Sequence, residues 1–223
     1  IYYARWIKLD VNFSGFEKYT DNSVVTSVDA EGNGETANDK SNGFITEETG
    51  ADGFYYWSGV AGSTVQLNTN PAYANSGSKS AKLVLKVKDS STRYNTTHFG
   101  SDRVFFPNDK DLGEGICFWI NTDKEIQLAV QLNSNTKSSK VTVSAGKHFV
   151  AIPWADLENK KSPWFTIIRF DNPGEETTVY IDDIGTYTVP FDNKVTFNMN
   201  GGECVDGYIA PNGYNFSGGL ILP

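Results

Sequence analysis

Two adjacent carboxylates, Asp182 and Asp183, lie in the middle of a segment that is typical of a β-strand, residues 178–187. Because the side chains of a strand alternate between its two faces, the two acids are predicted to point to opposite faces. Burying a carboxylate without a partner is costly, so each acid is expected to meet a cation, a backbone amide or water.

Other residues that could catalyse a reaction are sparse. The two histidines, His98 and His148, are far apart in the sequence. The chain has no Gly-x-Ser-x-Gly elbow, no His-Glu-x-x-His motif and no phosphate-cradling glycine loop. Asp182 and Asp183, predicted on opposite faces, are poor candidates for the acid and nucleophile of a glycosidase. We therefore expect that the chain is not an enzyme.

Residues suited to binding a sugar are more numerous. Sugars present apolar C–H faces and hydroxyl groups, so their sites combine aromatic rings with amide and guanidinium donors. One set of such residues is predicted on an open sheet face and a second set on loops. The sheet-face candidates are Trp119, Asn121, Gln127, Gln131 and Arg169, and the loop candidates are Tyr55, Tyr56, Trp57 and Tyr94. A solvated sheet face would explain the glutamines equally well, and each tryptophan is as suited to packing as to ligand contact.

Composition narrows the class of partner. The formal net charge is −8 and the pI about 4.8, which argues against nucleic acid and against an anionic membrane. No segment approaches the length of a membrane span. Aromatic residues make up 13% of the chain, as in many all-β proteins and sugar-binding surfaces. A polysaccharide is the expected partner.

Short apolar segments bounded by Gly, Asn, Asp, Ser or Pro recur along the chain, and none has convincing helical periodicity. In residues 126–132 the two glutamines share one face with Ala129, and Leu128, Val130 and Leu132 share the opposite face. The pattern predicts an all-β fold, an antiparallel β-sandwich or jelly roll, and the chain length allows a small appendage beside it. The segments predicted as strands are 1–9, 81–87, 103–106, 115–121, 126–132, 140–144, 148–153, 164–170 and 178–184, whereas 27–42 is predicted as a long surface loop. Cys117 is expected to be buried, and the sequence leaves open whether it pairs with Cys204.

The order of five short segments resembles a known family. These are Phe16-Glu17, Ser76 to Leu83, Gly115 to Ile120, Gly146 to Trp154 and Val179 to Ile184. Together they resemble the β-jelly-roll, galactose-binding-like carbohydrate-binding modules of bacterial glycoside hydrolases. This resemblance spans about residues 10–188, and a long polar insertion between Phe16 and Trp57 departs from the pattern.

The chain ends carry a second resemblance. Residues 194–202 are similar to the opening of the Listeria–Bacteroides repeat, a β-grasp-like surface repeat, and residues 3–6 are similar to its closing strand. This resemblance implies that 1–9 and 189–223 are flanking strands of partial repeats, and that the chain ends form a small β appendage. It also implies that 2–7 and 194–199 pair, and that the parent is a multi-modular protein, secreted or on the bacterial cell surface.

The resemblance to the carbohydrate-binding modules further implies a structural Ca²⁺ site. Carried over to this sequence, the site would use Glu17 and Asp182 or Asp183, with backbone oxygens near the turn at Ser78 and Lys79. The alternative is that these acids cap a turn or pair with Lys79 or Lys82.

The expected function is that of a non-catalytic carbohydrate-binding module that targets a larger secreted or surface enzyme to polysaccharide. The alternative is a structural or adhesive spacer of a bacterial surface protein.

Overall fold

Fourteen β-strands and two short 3-10 turns make up the described part of the protein, a computed structural model. The structure describes residues 10–30, 35–46, 53–87, 92–101, 113–132, 136–158, 166–188 and 220–222. The strands are β1 (Asp10–Ser14), β2 (Val25–Ala30), β3 (Glu35–Asn38), β4 (Tyr55–Ser58), β5 (Thr64–Asn68), β6 (Ser80–Leu85), β7 (Thr96–Ser101), β8 (Gly115–Thr122), β9 (Ile126–Leu132), β10 (Val141–Val143), β11 (Gly146–Pro153), β12 (Thr166–Asp171), β13 (Thr177–Thr188) and β14 (Leu220–Leu222). The 3-10 turns are Pro71–Tyr73 and Trp154–Leu157.

The strands form two antiparallel sheets. The large sheet has nine strands. Eight of them follow the order β14-β11-β8-β13-β6-β5-β2-β3, and the ninth, β1, pairs with the second half of β13. The small sheet has five strands in the order β10-β9-β12-β7-β4. This architecture confirms the predicted antiparallel β-sandwich. Within the described ranges, no helix is long and apolar enough to cross a membrane.

The core lies between the two sheets, because each strand turns its apolar positions inward. Ile120 and Ile181 of the large sheet belong to one buried cluster with Ile168 and Phe170 of the small sheet. Burying each of these side chains stabilises the fold by about 1.5–3 kcal/mol relative to exposure. Five further aromatic residues pack in the same cluster, with ring centroids as close as 4.9 Å: Phe16, Tyr19, Phe44, Phe54 and Phe99.

The central strand of the large sheet, β13, contains an irregularity that changes the prediction for its two acids. The register with β8 shifts between Asp182 and Gly185, and Asp183 has φ 48°. Such a bulge interrupts the alternation of side chains. Asp182 and Asp183 are both buried and both reach one turn, so the expectation that they occupy opposite faces was wrong.

One other prediction needs correction. Residues 27–42 are not one long loop, since β2 and β3 pair as an antiparallel hairpin from Ser27 with Asn38 to Ala30 with Glu35. Val25 and Ser27 lie on one face of β2 and are buried, so this face of the hairpin packs towards the core. The chain end contributes β14, which pairs with β11 at Phe149 to Ala151. The predicted strands 1–9 and 103–106, the pairing of 2–7 with 194–199, and Cys204 lie outside the described residues.

Candidate functional site

The outer face of the small sheet carries a set of polar and aromatic side chains in register. We call it the small-sheet face and define it by Tyr55, Trp57, His98, Gln127, Gln131 and Arg169. Trp57 of β4 is paired with His98 of β7, His98 with Arg169 of β12, and Arg169 with Ala129 of β9. The next row runs from Tyr55 through Gly100 and Ile167 to Gln131. These rows cross four strands, about 15 Å at the usual strand spacing.

Aromatic rings gather at the β4 edge of this face. The Trp57 ring lies 4.9 Å from the His98 ring and 5.8 Å from the Tyr94 ring, which meets it edge-on. Tyr94 is 42% exposed, and Arg93 lies over its ring while pairing with Glu35 at 2.8 Å. A Cβ at Gly59 would lie 2.5 Å from the Tyr94 Cβ, so this close approach requires glycine. The cluster supplies aromatic surface at the margin of the sheet.

The middle of the small-sheet face is polar. The Arg169 Nε is buried and has no hydrogen-bond partner within the described residues. His98 Nε2 lies 3.3 Å from the Thr96 hydroxyl. Burial, with the nearby charges of Arg169 and Lys137, lowers the pKa of His98 to about 4, so its imidazole is neutral at pH 7. A neutral imidazole and an unsatisfied guanidinium N–H are groups that can bind hydroxyl or carboxylate oxygens.

Amides and charged groups follow towards the β10 edge. Gln127 is exposed, Gln131 is half-buried, and Lys137 is bridged to Gln131 along the margin of the sheet. Asp171, paired in register with Gln127, forms an ion pair with Lys140. The small-sheet face therefore runs from aromatic to amide and cationic groups.

Trp119 and Asn121 lie elsewhere, on the outer face of the large sheet. Strand β8 pairs with β11 and β13, whereas β9 pairs with β10 and β12. The prediction that Trp119 and Asn121 share one open face with Gln127, Gln131 and Arg169 was therefore wrong. The reason is that the short turn after β8 carries the chain from one sheet to the other.

Trp119 forms one wall of a shallow groove on that opposite side. Its ring packs against Phe149 at 5.4 Å, and the Lys147 ammonium lies over it at 5.4 Å. Tyr73 stacks on Tyr180 at 4.2 Å along the same groove. Lys147 thus covers part of the Trp119 surface that the sequence suggested for a ligand.

Of the four residues predicted on loops, three lie on a strand and one lies outside the strands. Tyr55, Tyr56 and Trp57 belong to strand β4 rather than to a loop, and Tyr56 is 2% exposed in the core. The expectation that Tyr56 faces a ligand was wrong, because alternation turns it inward between Tyr55 and Trp57. Tyr94, outside the strands, meets Trp57 as described above.

The three acids assigned to a metal surround one turn, residues 75–79, which precedes β6. Asp182 Oδ2 accepts hydrogen bonds from the backbone nitrogens of Asn75 at 2.6 Å and Ser76 at 3.1 Å. Asp183 accepts from the Asn75 Nδ2 and the Ser76 hydroxyl, both at 2.6 Å. Glu17 Oε1 accepts from the backbone nitrogens of Ser78 and Lys79, both at 2.8 Å. Each carboxylate thus meets donors of the turn.

A positive charge is already present at this turn. The Lys79 ammonium donates to the backbone oxygens of Glu17 at 2.9 Å and Tyr19 at 2.6 Å. Burial raises the pKa of Asp182, whereas the Ser78 backbone N–H lowers the pKa of Glu17. Within the described ranges, no three or more His, Cys, Asp or Glu residues are grouped to hold a metal ion. The observed contacts are those of the turn-capping alternative.

Sequence reasoning missed His98 and Lys137 as members of the site. The segment Thr96–Ser101 alternates His98 with Phe99, and the burial of Phe99 turns His98 outward. That alternation was a usable signal for His98. Lys137 lies outside the regular strands and had no comparable signal.

Cys117 is fully buried, as predicted. Trp154 is also buried, at 2% exposure.

Two solved carbohydrate-binding modules are similar to this chain. A family 30 carbohydrate-binding module matches at 17% identity with a TM-score of 0.38, over 61% of this chain and 80% of that chain. The family 11 module from Clostridium thermocellum, in complex with a beta-1,3-1,4-mixed-linked tetrasaccharide, matches at 10% identity with a TM-score of 0.36, over 75% and 99%. No protein-family model matches the sequence, and a search of curated proteins finds no match. At these values the likeness does not assign the chain to a family.

Proposed function

We propose that the chain is a non-catalytic carbohydrate-binding module whose ligand lies across the small-sheet face. The observation that carries this proposal is the row from Trp57 through His98 to Arg169, which places an aromatic ring beside outward-facing hydrogen-bonding groups. A sugar chain offers both apolar ring faces and hydroxyl groups, and this row matches the combination. Gln127 and Gln131 extend the row of donors and acceptors towards the β10 edge.

The test compares tryptophans on the two sides of the sandwich. Affinity electrophoresis against plant, algal, starch and host glycans first identifies a bound polysaccharide. Trp57→Ala is then expected to weaken binding about tenfold or more, as truncation of an aromatic binding residue does. Trp119→Ala, on the opposite face, is expected to leave it unchanged. Circular dichroism and thermal melting show whether each variant is folded.

The reverse result would relocate the site. If a folded Trp57→Ala variant binds as well as the parent and Trp119→Ala does not, the ligand lies in the groove of the large sheet. Gln127→Ala provides a second check on the small-sheet face. Its exposed side chain makes it the substitution least expected to disturb the fold.

The wider role that we propose is targeting. A binding module linked to a catalytic domain raises the local concentration of the enzyme at polysaccharide. In this proposal the parent protein is multi-modular and is secreted or held at the bacterial cell surface, and its neighbouring modules are covalently linked. Product release from the glycan panel by the chain itself would contradict its non-catalytic role.

A structural or adhesive spacer is the second candidate. It is favoured by β14, because a strand from the flanking region joins the edge of the large sheet and ties that region to the sandwich. A spacer binds none of the glycans, so a silent panel supports it.

A structural Ca²⁺ at the turn of residues 75–79 is a separate proposal. Asp183 and the side-chain oxygens of Asn75 and Ser76 are suitable ligand atoms, but calcium prefers six to eight oxygens. The fit is partial, because all three acids already accept hydrogen bonds from the turn and Lys79 already donates to two carbonyls. Thermal melting with excess EDTA and with added CaCl₂ provides the test. A calcium site predicts a higher melting temperature with CaCl₂, whereas unchanged melting overturns it.

A further inference from the structure

The β10 half of the small-sheet face carries more positive than negative charge. Among the residues that the structure describes, its charged groups are Arg169, Lys137, Lys140 and Asp171, and Asp171 forms an ion pair with Lys140. No ion pair joins Arg169 or Lys137 to an acid within the described residues. This excess of two positive charges stands on a chain whose formal net charge is −8.

The two unmatched cations lie close enough to influence each other. Lys137 is paired with Gln131, at the β9 end of the row that contains Ile167. Arg169 is in the neighbouring row, where its partner on β9 is Ala129, two residues before Gln131. Ala129 leaves little side chain between them. Burial lowers the pKa of Lys137 and Arg169 lowers it further, although Asp171 opposes this effect. His98, the other basic group of the row, is neutral at pH 7.

The Arg169 guanidinium also has an unmet hydrogen-bonding need. Its Nε is buried without a hydrogen-bond partner in the described part of the chain. A buried donor that has no acceptor is unfavourable, so an oxygen ligand at this position would remove the cost. A carboxylate matches the planar fork of a guanidinium with two parallel hydrogen bonds and would also lessen the repulsion between Arg169 and Lys137.

We infer that the polysaccharide bound on the small-sheet face is acidic, and that a uronic acid carboxylate binds between Arg169 and Lys137. This inference rests on the proposed function and adds the class of ligand. Trp57, three strands from Ala129 along the same row, provides the surface for another ring of the sugar chain.

The experiment uses pairs of polysaccharides in which the uronic acid carboxylate is free in one member and esterified in the other. Binding of polygalacturonate is compared with that of its fully methyl-esterified form, and binding of alginate with that of its propylene glycol ester, at low and high NaCl. The acidic member of a pair is expected to bind about tenfold more tightly at low salt, as a charge-assisted hydrogen bond would provide. The preference is expected to shrink at high salt, where charges are screened.

A matched pair of variants assigns the preference to this site. Lys137→Gln is expected to reduce the preference for the acidic member, measured as the ratio of its affinity to that of the neutral member, about threefold to tenfold. Lys82→Gln removes the same charge from β6, on the outer side of the large sheet, and is expected to retain the preference. Equal effects of the two substitutions would overturn the inference, because they would indicate a response to net charge alone.

The outcomes separate this inference from the proposed function. Trp57-dependent binding to neutral polysaccharides, without preference for any acidic member, overturns the acidic ligand and retains the binding module. Preference for sulfated dextran over both uronate polymers also overturns the inference as stated, because the anion would then be a sulfate. Binding to no polysaccharide, neutral or acidic, overturns both proposals.

Discussion

Asp182 and Asp183 bind the same residue from neighbouring positions of β13, since Asp182 Oδ2 lies 2.6 Å from the Asn75 backbone nitrogen and Asp183 Oδ2 lies 2.6 Å from the Asn75 Nδ2. The positive φ of Asp183 makes this arrangement possible, because a regular strand would direct one of the two carboxylates away. The pair joins the central strand of the large sheet to the turn that precedes β6.

Removing the Asp182 carboxylate is expected to destabilise the protein. The backbone N–H groups of Asn75, Ser76 and Asp183 would lose their acceptor in Asp182→Ala. We expect the free energy of unfolding to fall by about 1–3 kcal/mol, measured by urea denaturation. Glu176→Gln, which removes only an exposed ion pair with Lys86, is the control and should change it by less than about 1 kcal/mol. An equal loss of unfolding free energy in the two variants would contradict a stabilising contact between Asp182 and the turn before β6.

Glu17 is expected to make stability depend on pH in the acid range. The Ser78 backbone N–H holds the pKa of Glu17 below its usual value of 4.5, so the folded state favours the ionised form. The stabilisation is therefore present above pH 4.5 and is lost as pH falls through the pKa of the folded state. Glu17→Gln should be less stable than the parent at neutral pH, and the difference should shrink on acidification.

Thermal melting across this range measures the Glu17 effect. The exposed Glu125→Gln variant, in the turn after β8, is the control for removing one negative charge. A gap between the parent and Glu17→Gln that stays constant from neutral to acid pH would contradict the prediction.

His98 is expected to remain neutral well below the ordinary pKa of histidine. Burial, then Arg169 and Lys137, lowers its pKa from 6.5 to about 4. The stability linked to this depressed pKa is present above pH 6.5 and is lost as pH falls towards 4. An NMR titration of the His98 ring measures the midpoint directly. A midpoint near 6.5 would show that the ring is solvated or that the two cations are remote from it.

Gly100 is expected to tolerate no side chain, because strands β7 and β12 approach closely there. A Cβ at this position would lie 2.2 Å from the Thr166 backbone oxygen and 2.6 Å from the Ile167 Cα. Gly100→Ala should lower the free energy of unfolding by about 1–3 kcal/mol, as overpacking does. Gly174→Ala, where a Cβ would meet nothing within 4 Å, is the matched control. Urea denaturation showing equal stability of both variants would contradict the close approach.

The sequence predicted strands more readily than it predicted which strands share a sheet. Alternation in residues 126–132 placed Gln127 and Gln131 outward, and both lie on the small-sheet face. The same logic placed Trp119 outward but on the wrong sheet. Consecutive strands are often neighbours, yet β8 and β9 belong to different sheets, and nothing in the turn between them signals the crossing.

The contacts of Asp182 and Asp183 also could not be predicted from the local sequence pattern. A strand-like sequence predicts alternation, and only the distant turn at Asn75 and Ser76 explains why β13 bulges at Asp183. Lys137 joins the site through its bridge to Gln131 outside the regular strands. Long-range partners of this kind override local propensity, because each local segment is compatible with several arrangements.

The bond from Asp182 to Asn75 spans 107 residues, which has a consequence for the order of assembly during synthesis. At a ribosomal rate of about 5–20 residues per second, the turn before β6 waits roughly 5–20 seconds for the carboxylates of Asp182 and Asp183. Strand β13 must also arrive before β6, β8 and β1 can share their common neighbour. Truncated nascent chains that end before β13 therefore lack the centre of the large sheet, and we expect cooperative folding to begin only after almost the whole sandwich has been made.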